Sequence, residues 1–304
     1  MIKINSEIFE QIQAEYFDQN YIQVPDFKYR RKNIKGQRYY IKETDNDVFM
    51  SPSVTTVIHN SSPMSHFLVE WYAKNGLEYC NWFLNQSAAY GTFMHTMYNK
   101  IILGEKVLLN KEWFRAQITV FCYENDYNEF ELIDWYKKQK RDFRKDIYAF
   151  IKFIADKELT PIAIEFPVVT KDYAGCIDLV AMDGDDNICM IDYKTGSGIY
   201  EDHGIQLSAY KQSWDEQYPE RKIDYILNFR PKQFKMSKRT KTFYETKNWT
   251  KDYEKLLTKF NIYVELYKLD NSVDMDFAYM DFVDMEIDIN TDVDIIIKDY
   301  KIKE

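Results

Sequence analysis

Apolar and polar positions follow two different periods along this chain. From residue 51 to about 156, apolar residues recur at helical spacing. Helices are expected around 64–84, 88–103, 110–125 and 129–156. The last carries Trp135, Tyr136, Phe143, Ile147, Phe150, Ile151 and Ile154. Short runs rich in branched residues follow at Ile162–Val169, Ala174–Met182 and Asn187–Lys194. The turn signal Asp183-Gly184-Asp185-Asp186 joins the second run to the third, so the three read as an antiparallel meander. His203–Gln217 predicts a helix and Ile223–Phe229 a fourth strand. An amphipathic helix with Trp249, Tyr253, Leu256, Leu257, Phe260, Val264 and Tyr267 on one face comes next. Residues 1–50 are polar and mixed. Gln37–Met50 predicts a hairpin about Thr44-Asp45-Asn46-Asp47, and Ser51-Pro52-Ser53 opens a helix. No internal repeat is present. The fold class is α/β, a mixed sheet flanked by helices with a helical N-terminal part.

Composition sharpens this picture. The 304 residues are 45% hydrophobic and 17% aromatic, with only 9 Gly and 7 Pro. Collagen-like, low-complexity and wholly disordered chains are excluded. The net charge of −9 argues at first against a polyanionic partner. That charge is concentrated in residues 270–304, with eleven acids against three bases, and the body before it is nearly neutral. The tail reads as a strand or a disordered arm. It has three candidate roles: keeping the protein soluble, binding a protein partner, or competing with a polyanion for a basic groove. Bases cluster at 28–38, at 137–145, and at Arg230, Lys232, Lys235, Lys238, Arg239 and Lys241. Jointly these could line a phosphate track. No run of 18 apolar residues exists to span a membrane, and the N-terminus lacks the apolar core of a signal peptide. Cys80, Cys122, Cys176 and Cys189 show no paired spacing and fit free thiols in a reducing cytoplasm.

The chemistry concentrates between residues 161 and 210. Asp192 and Lys194 stand two apart on a strand and share a face. Asp178, on the neighbouring strand, can reach the same face. A charged pair at the end of an apolar strand is costly to bury without partners. Two convergent carboxylates beside an ammonium suit a hard cation such as Mg2+, which favours carboxylates, water and phosphate oxygens. Taken alone, Asp-x-Lys is commonly just a strand-end ion pair. The motifs around it change that balance.

The order Gly175-x-x-Asp178, then Asp192-Tyr193-Lys194-Thr195-Gly196, then Gln206-x-x-x-Tyr210 resembles the RecB-like nuclease branch of the PD-(D/E)XK superfamily. Gly91-Thr92-x-x-His95 is similar to that branch's helical histidine motif, and Ser53-Val54-Thr55-Thr56-Val57 to a segment of phage-type members. The resemblance runs from about residue 51 to 230. It implies a restriction-endonuclease-like mixed sheet and a Mg2+- or Mn2+-dependent nuclease. Asp178 and Asp192 would be metal-binding carboxylates, with His95 as a further ligand. Lys194 would position the attacking water and stabilise the transition state. Gln206 and Tyr210 would position the site's groups and the nucleic-acid strand, and Glu165 matches a frequently acidic position at the site's edge. Related nucleases carry an iron–sulfur cluster on one early and three late Cys. No late cluster follows Cys189, and no such cofactor is expected.

The expected organisation is a basic, hairpin-forming segment over 1–50, a nuclease domain over 51–269 and an acidic tail over 270–304. The expected activity is DNA exonuclease action in recombination, repair or replication. The cytoplasm is the expected location, that of a bacterial host if the chain is phage-encoded. Alternatives are a structure-selective endonuclease on branched or flap DNA, and a non-catalytic DNA-binding assembly protein.

Overall fold

The computed structural model describes residues 27–43, 48–232 and 242–283, the last twelve of these as helix backbone only. The predicted turn at 44–47, the bases Lys235, Lys238, Arg239 and Lys241, and the tail from 284 onward lie outside these residues. The chain forms two compact units. Of the described residues, one unit holds those within Pro63–Val168 and Cys176–Lys259, and the other those within Pro25–Ser62, Val169–Gly175 and from Phe260 to Val283.

The first unit is helical before it is β. Helix α2 (His66–Asn75) is capped by the Ser65 side chain, which accepts from the Leu68 amide. It ends at Gly76, whose φ of 82° suits glycine. Helix α3 (Leu77–Ile102) then runs unbroken through the gap expected at 85–87, because nothing there breaks a helix. The expected helix over 129–156 is two helices, α5 (Glu129–Lys138) and α6 (Phe143–Lys157). Asp142 makes the break by capping the second one, its carboxylate accepting from the Arg144 amide. The basic stretch 137–145 therefore straddles a link and does not form one helix face. Helix α4 (Lys111–Glu124) completes the layer.

Five strands follow the helices. They are β4 (Thr160–Val169), β5 (Ala174–Met182), β6 (Ile188–Tyr193), β7 (Tyr225–Pro231) and β8 (Tyr244–Asn248), in the spatial order β4-β5-β6-β7-β8. Strand β6 is antiparallel to β5 and parallel to β7, and β8 is antiparallel to β7. The parallel pair needs a crossover, which helix α7 (Glu201–Gln217) supplies. This is the mixed α/β, restriction-endonuclease-like architecture. The sequence pattern missed β8, whose Tyr-Glu-Thr-Lys-Asn has no apolar alternation.

Aromatic packing fixes α3 and α6 on the sheet. Tyr98 of α3 stacks on Phe150 of α6 with ring centroids 4.2 Å apart, and Phe153 stacks on Phe229 of β7 at 4.7 Å. The Tyr193 ring meets both Tyr98 and Phe150 edge-on at 5.3 Å. All five rings are fully buried, each contributing about 2–3 kcal/mol. Gly91, two turns before Tyr98, permits this approach: a Cβ there would sit 3.2 Å from Thr195 Oγ1.

In the second unit, β1 (Lys28–Ile34), β2 (Gln37–Glu43) and β3 (Val48–Pro52) form an antiparallel sheet. The predicted hairpin is β2–β3. Ser53 caps α1 (Val54–Ser61) by accepting from the Thr56 amide, as the Ser-Pro-Ser signal anticipates. Helix α8 (Tyr253–Val283) begins in the first unit and continues into the second. The start of the acidic tail is therefore helical up to Val283. The hydroxyls of Tyr267 of α8 and Tyr39 of β2 lie 2.8 Å apart and both lie within 2.9 Å of Gln37 Oε1, so one hydroxyl donates to the Gln37 carbonyl oxygen and the other donates to it or to its neighbouring hydroxyl. The four cysteines are free thiols. Among the described residues, no helix is long and apolar enough to cross a membrane.

Candidate active site

The site lies where the β5–β6 ladder stops. Main-chain pairing ends at Leu179 opposite Ile191. One residue further, the Asp178 carboxylate accepts from the Tyr193 amide at 2.6 Å and takes the place of a backbone acceptor. This turns Asp178 toward the end of β6, where Asp192 lies. The ladder on the other side continues, with the Lys194 amide donating to Phe229 O at 2.8 Å.

His95 comes from α3, one turn before the anchoring Tyr98. Its Nε2 lies 3.1 Å from the Tyr193 carbonyl and its Nδ1 3.3 Å from Asp178 Oδ1. A carbonyl only accepts, so Nε2 carries the proton and Nδ1 faces the carboxylates. Glu165 of β4 meets the same point. One ligand atom from each of His95, Glu165 and Asp178 lies within 4.8 Å of the others. The Glu165 backbone is left-handed at φ 46°, which costs a side chain of its type about 1–2 kcal/mol. The carboxylate is held by Asn99 Nδ2 at 3.0 Å and the Cys176 thiol at 3.3 Å.

Asp192 stands beside this trio with partners of its own. Lys194 Nζ lies 2.9 Å from Oδ1 and 2.8 Å from Oδ2. The ammonium also donates to Gln206 Oε1 at 3.2 Å, and Gln206 Nε2 donates to the Tyr210 hydroxyl at 3.0 Å. All seven residues singled out from the sequence therefore meet here. They fall into two groups: His95, Glu165 and Asp178 in one, and Asp192, Lys194, Gln206 and Tyr210 in the other.

Two contributors escaped the sequence pattern. Asn228, fully buried in β7 opposite Asp192, donates from Nδ2 to Asp192 Oδ2 at 2.5 Å. Its amide orientation is fixed by Trp249, whose Nε1 can only donate and reaches Asn228 Oδ1 at 2.7 Å. Gly204 of α7 makes room for that indole, since a Cβ there would lie 2.6 Å from Trp249 Cδ2. The available signal was a lone Asn inside the apolar run Ile226-Leu227-Asn228-Phe229. Removing one partner of this buried chain should strand the other. Asn228→Leu is expected to destabilise the protein by about 1–3 kcal/mol in urea unfolding and to weaken Mn2+ binding. A variant matching the parent in both would show that Asn228 does not orient Asp192.

Crowded carboxylates shape the titration of the site. Burial opposes charge on His95, but Asp178, helped by Glu165 and Asp192, outweighs it and raises the imidazole to about 9. Burial pushes Asp178 up, yet His95, Lys194 and the Tyr193 amide hold it below the usual carboxylate range. Burial lifts Asp192 to about 6 despite the attraction of Lys194. Glu165 is raised by desolvation and by Asp178, although its side chain keeps solvent access. A His raised from 6.5 to about 9 stabilises the metal-free protein fully below about pH 6.5, and that contribution is lost as pH rises through about 9. In EDTA, the stability advantage of the parent over His95→Gln should shrink by up to about 3 kcal/mol across this window. A constant advantage would contradict the charged His95–Asp178 pairing.

The donor set fits a divalent cation on its chemistry. It offers hard carboxylate oxygens and one imidazole nitrogen whose tautomer is fixed by a backbone carbonyl, the arrangement that orients metal-ligating histidines. A search of characterised proteins returned no match. The profile described as PD-(D/E)XK nuclease superfamily matches residues 69–274, which include every residue of this site. That match covers well over half of the sequence, and the chain belongs to the PD-(D/E)XK nuclease superfamily.

Proposed function

We propose that the protein is a Mg2+- or Mn2+-dependent DNA nuclease of the RecB-like branch, acting as an exonuclease. The observation that supports this most is the meeting of His95, Glu165 and Asp178 within 4.8 Å beside the Asp192–Lys194 pair. His95, Asp178 and Asp192 would hold the cation, with Glu165 at its edge. The bound ion would acidify water and neutralise charge on the scissile phosphate. His95 must give up its second proton to ligate through Nδ1, while Nε2 keeps its bond to the Tyr193 carbonyl. Lys194, held between Asp192 and Gln206, would stabilise charge developing on the phosphate oxygens. Gln206 and Tyr210 would keep that ammonium on the reacting side. The RecB-like reading rests on His95 arriving from a helix and on the Gln206–Tyr210 pair of α7 touching Lys194 through Gln206. A bacterial cytoplasmic setting, with a role in phage or host recombination, is part of the same proposal.

Product analysis tests it. Linear end-labelled DNA with Mg2+ or Mn2+ should yield mononucleotides or short oligomers, with no products in EDTA. Covalently closed circles should stay intact. Nicking of closed circles would replace the exonuclease with an endonuclease, and no cleavage under any divalent cation would refute the nuclease assignment.

A further inference from the structure

The second unit carries a charge pattern that the nuclease site does not use. Between Phe27 and Glu43 stand seven bases and a single acid, in a chain whose net charge is −9. That acid is taken by Arg30, 2.6 Å from Glu43. Lys42 lies over the Phe27 ring at 3.8 Å. Lys28, Arg31, Lys32, Lys35 and Arg38 are exposed on β1, on the turn after it and at the start of β2. Strand β1 is the edge of its sheet. Lys28 and Lys32 share one face of it, about 13 Å apart along the strand. Arg31 points to the other face, in the row of its neighbour Tyr40, and Arg38 lies opposite Asn33 in that same face.

We infer that this basic edge is a second nucleic-acid contact, one that holds the phosphate backbone of the substrate. Bases on both faces of an edge strand suit a charged backbone running along it better than base edges read in one groove. The aromatic rings nearby are committed to protein packing. Tyr29 stacks on Tyr40 at 6.1 Å, and Tyr40 is buried against Val169 and Ala174. The surface therefore offers charge without a stacking platform, and binding to it is sequence-independent and steeply salt-dependent. The choice of occupant rests on the nuclease reading. The rival occupant is an acidic polypeptide.

The test uses the full chain with Asp192→Asn, in EDTA. A fluorescent single strand, a duplex and polyglutamate are titrated at rising KCl. The same titrations are run after adding Lys28→Ser, Arg31→Ser and Arg38→Ser together. Nucleic-acid affinity should fall about tenfold or more at low salt, and the slope of log affinity against log salt should drop by about 2–3, one contact per base removed. With Asp192 restored, the triple variant should cleave long DNA with a raised KM and an unchanged kcat. If the triple variant melts early, Arg31→Ser alone must still lower the slope by about 1. Unchanged nucleic-acid affinity and slope would overturn the inference, as would loss of polyglutamate binding alone. Parent protein that cleaves DNA while the triple variant binds like the parent would overturn only this surface. Parent protein that neither binds nor cleaves DNA would overturn the nuclease reading itself.

Discussion

Asp192→Asn is expected to abolish cleavage, by about a thousandfold or more, while making the metal-free protein more stable. Both effects have one cause. Asp192 is almost wholly buried, at 4% exposure, and burial raises its carboxyl to about 6 even with Lys194 2.8 Å away. At neutral pH the folded protein holds a carboxylate that the unfolded chain, with an ordinary value of 3.8, ionises more readily. The sign follows from linkage: a carboxyl raised on folding disfavours the folded state above its folded value and not below its unfolded one. An amide removes that penalty, so the variant should gain about 1–3 kcal/mol near pH 8 in EDTA. Urea unfolding at pH 8 and pH 4 checks this, with the gain expected at pH 8 only. A variant that loses stability at pH 8 would mean that the Lys194 pair outweighs burial. One that cleaves at the parent rate would remove Asp192 from the mechanism. Stability surrendered at a reactive site is common where function needs unfavourable charge.

Asp146→Ala should be the most destabilising single change to a charged residue in the first unit, at about 3–5 kcal/mol. Asp146 is fully buried. Its Oδ2 accepts from the Tyr90 hydroxyl at 2.6 Å and from Arg141 at 3.3 Å. Burial, reinforced by Asp146, holds the Tyr90 hydroxyl well above its ordinary value, so it stays a neutral donor. Burial opposes charge on Arg141, but Asp146 more than restores it. Without Asp146 the guanidinium is stranded in the interior, and its Nε already lacks a partner. The loss would reach the site. Arg141 Nη1 donates to the Thr195 carbonyl at 2.7 Å and Arg230 Nη1 to the Gly196 carbonyl at 3.2 Å. Two guanidinium groups thus brace the chain just after Lys194. Asp146→Asn, which keeps an acceptor for Tyr90, should cost less stability and still lower cleavage. A loss below about 1 kcal/mol for Asp146→Ala would show that water or relaxation compensates the buried arginine.

The sequence carries the Asp192 site more openly than the Asp146 brace. Strands β5 and β6 and helix α7 were legible because apolar runs bounded by Asp183–Asp186 and a helical period leave little choice. Asp178, Asp192 and Lys194 came with those strands, whereas Gln206 and Tyr210 were singled out only through the motif resemblance. His95 was legible only as a motif, because its route to the sheet depends on Tyr98, Phe150 and Tyr193 packing across distant segments. The Asn228–Trp249 chain and the Arg141–Asp146 brace were not legible. Asn228 and Trp249 come from separate elements, and Arg141 and Asp146, though only five residues apart, are set as a brace by their distant partners Thr195 and Tyr90. The left-handed backbone at Glu165 was hidden as well, since a strand of Ile, Phe and Val carries no local signature for it. Strand β1 was missed for another reason: Lys-Tyr-Arg-Arg-Lys-Asn-Ile has no apolar alternation, and pairing with β2 makes it a strand.

The grouped carboxylates and His95 are expected to hold a divalent cation. Electron paramagnetic resonance of Mn2+ titrated into the full chain reads this without relying on cleavage. The parent should bind Mn2+ saturably, with an affinity that rises with pH up to about 9, where His95 gives up its proton, and levels off above it, and Asp178→Asn should lose that binding. Equal Mn2+ binding by parent and Asp178→Asn would contradict it.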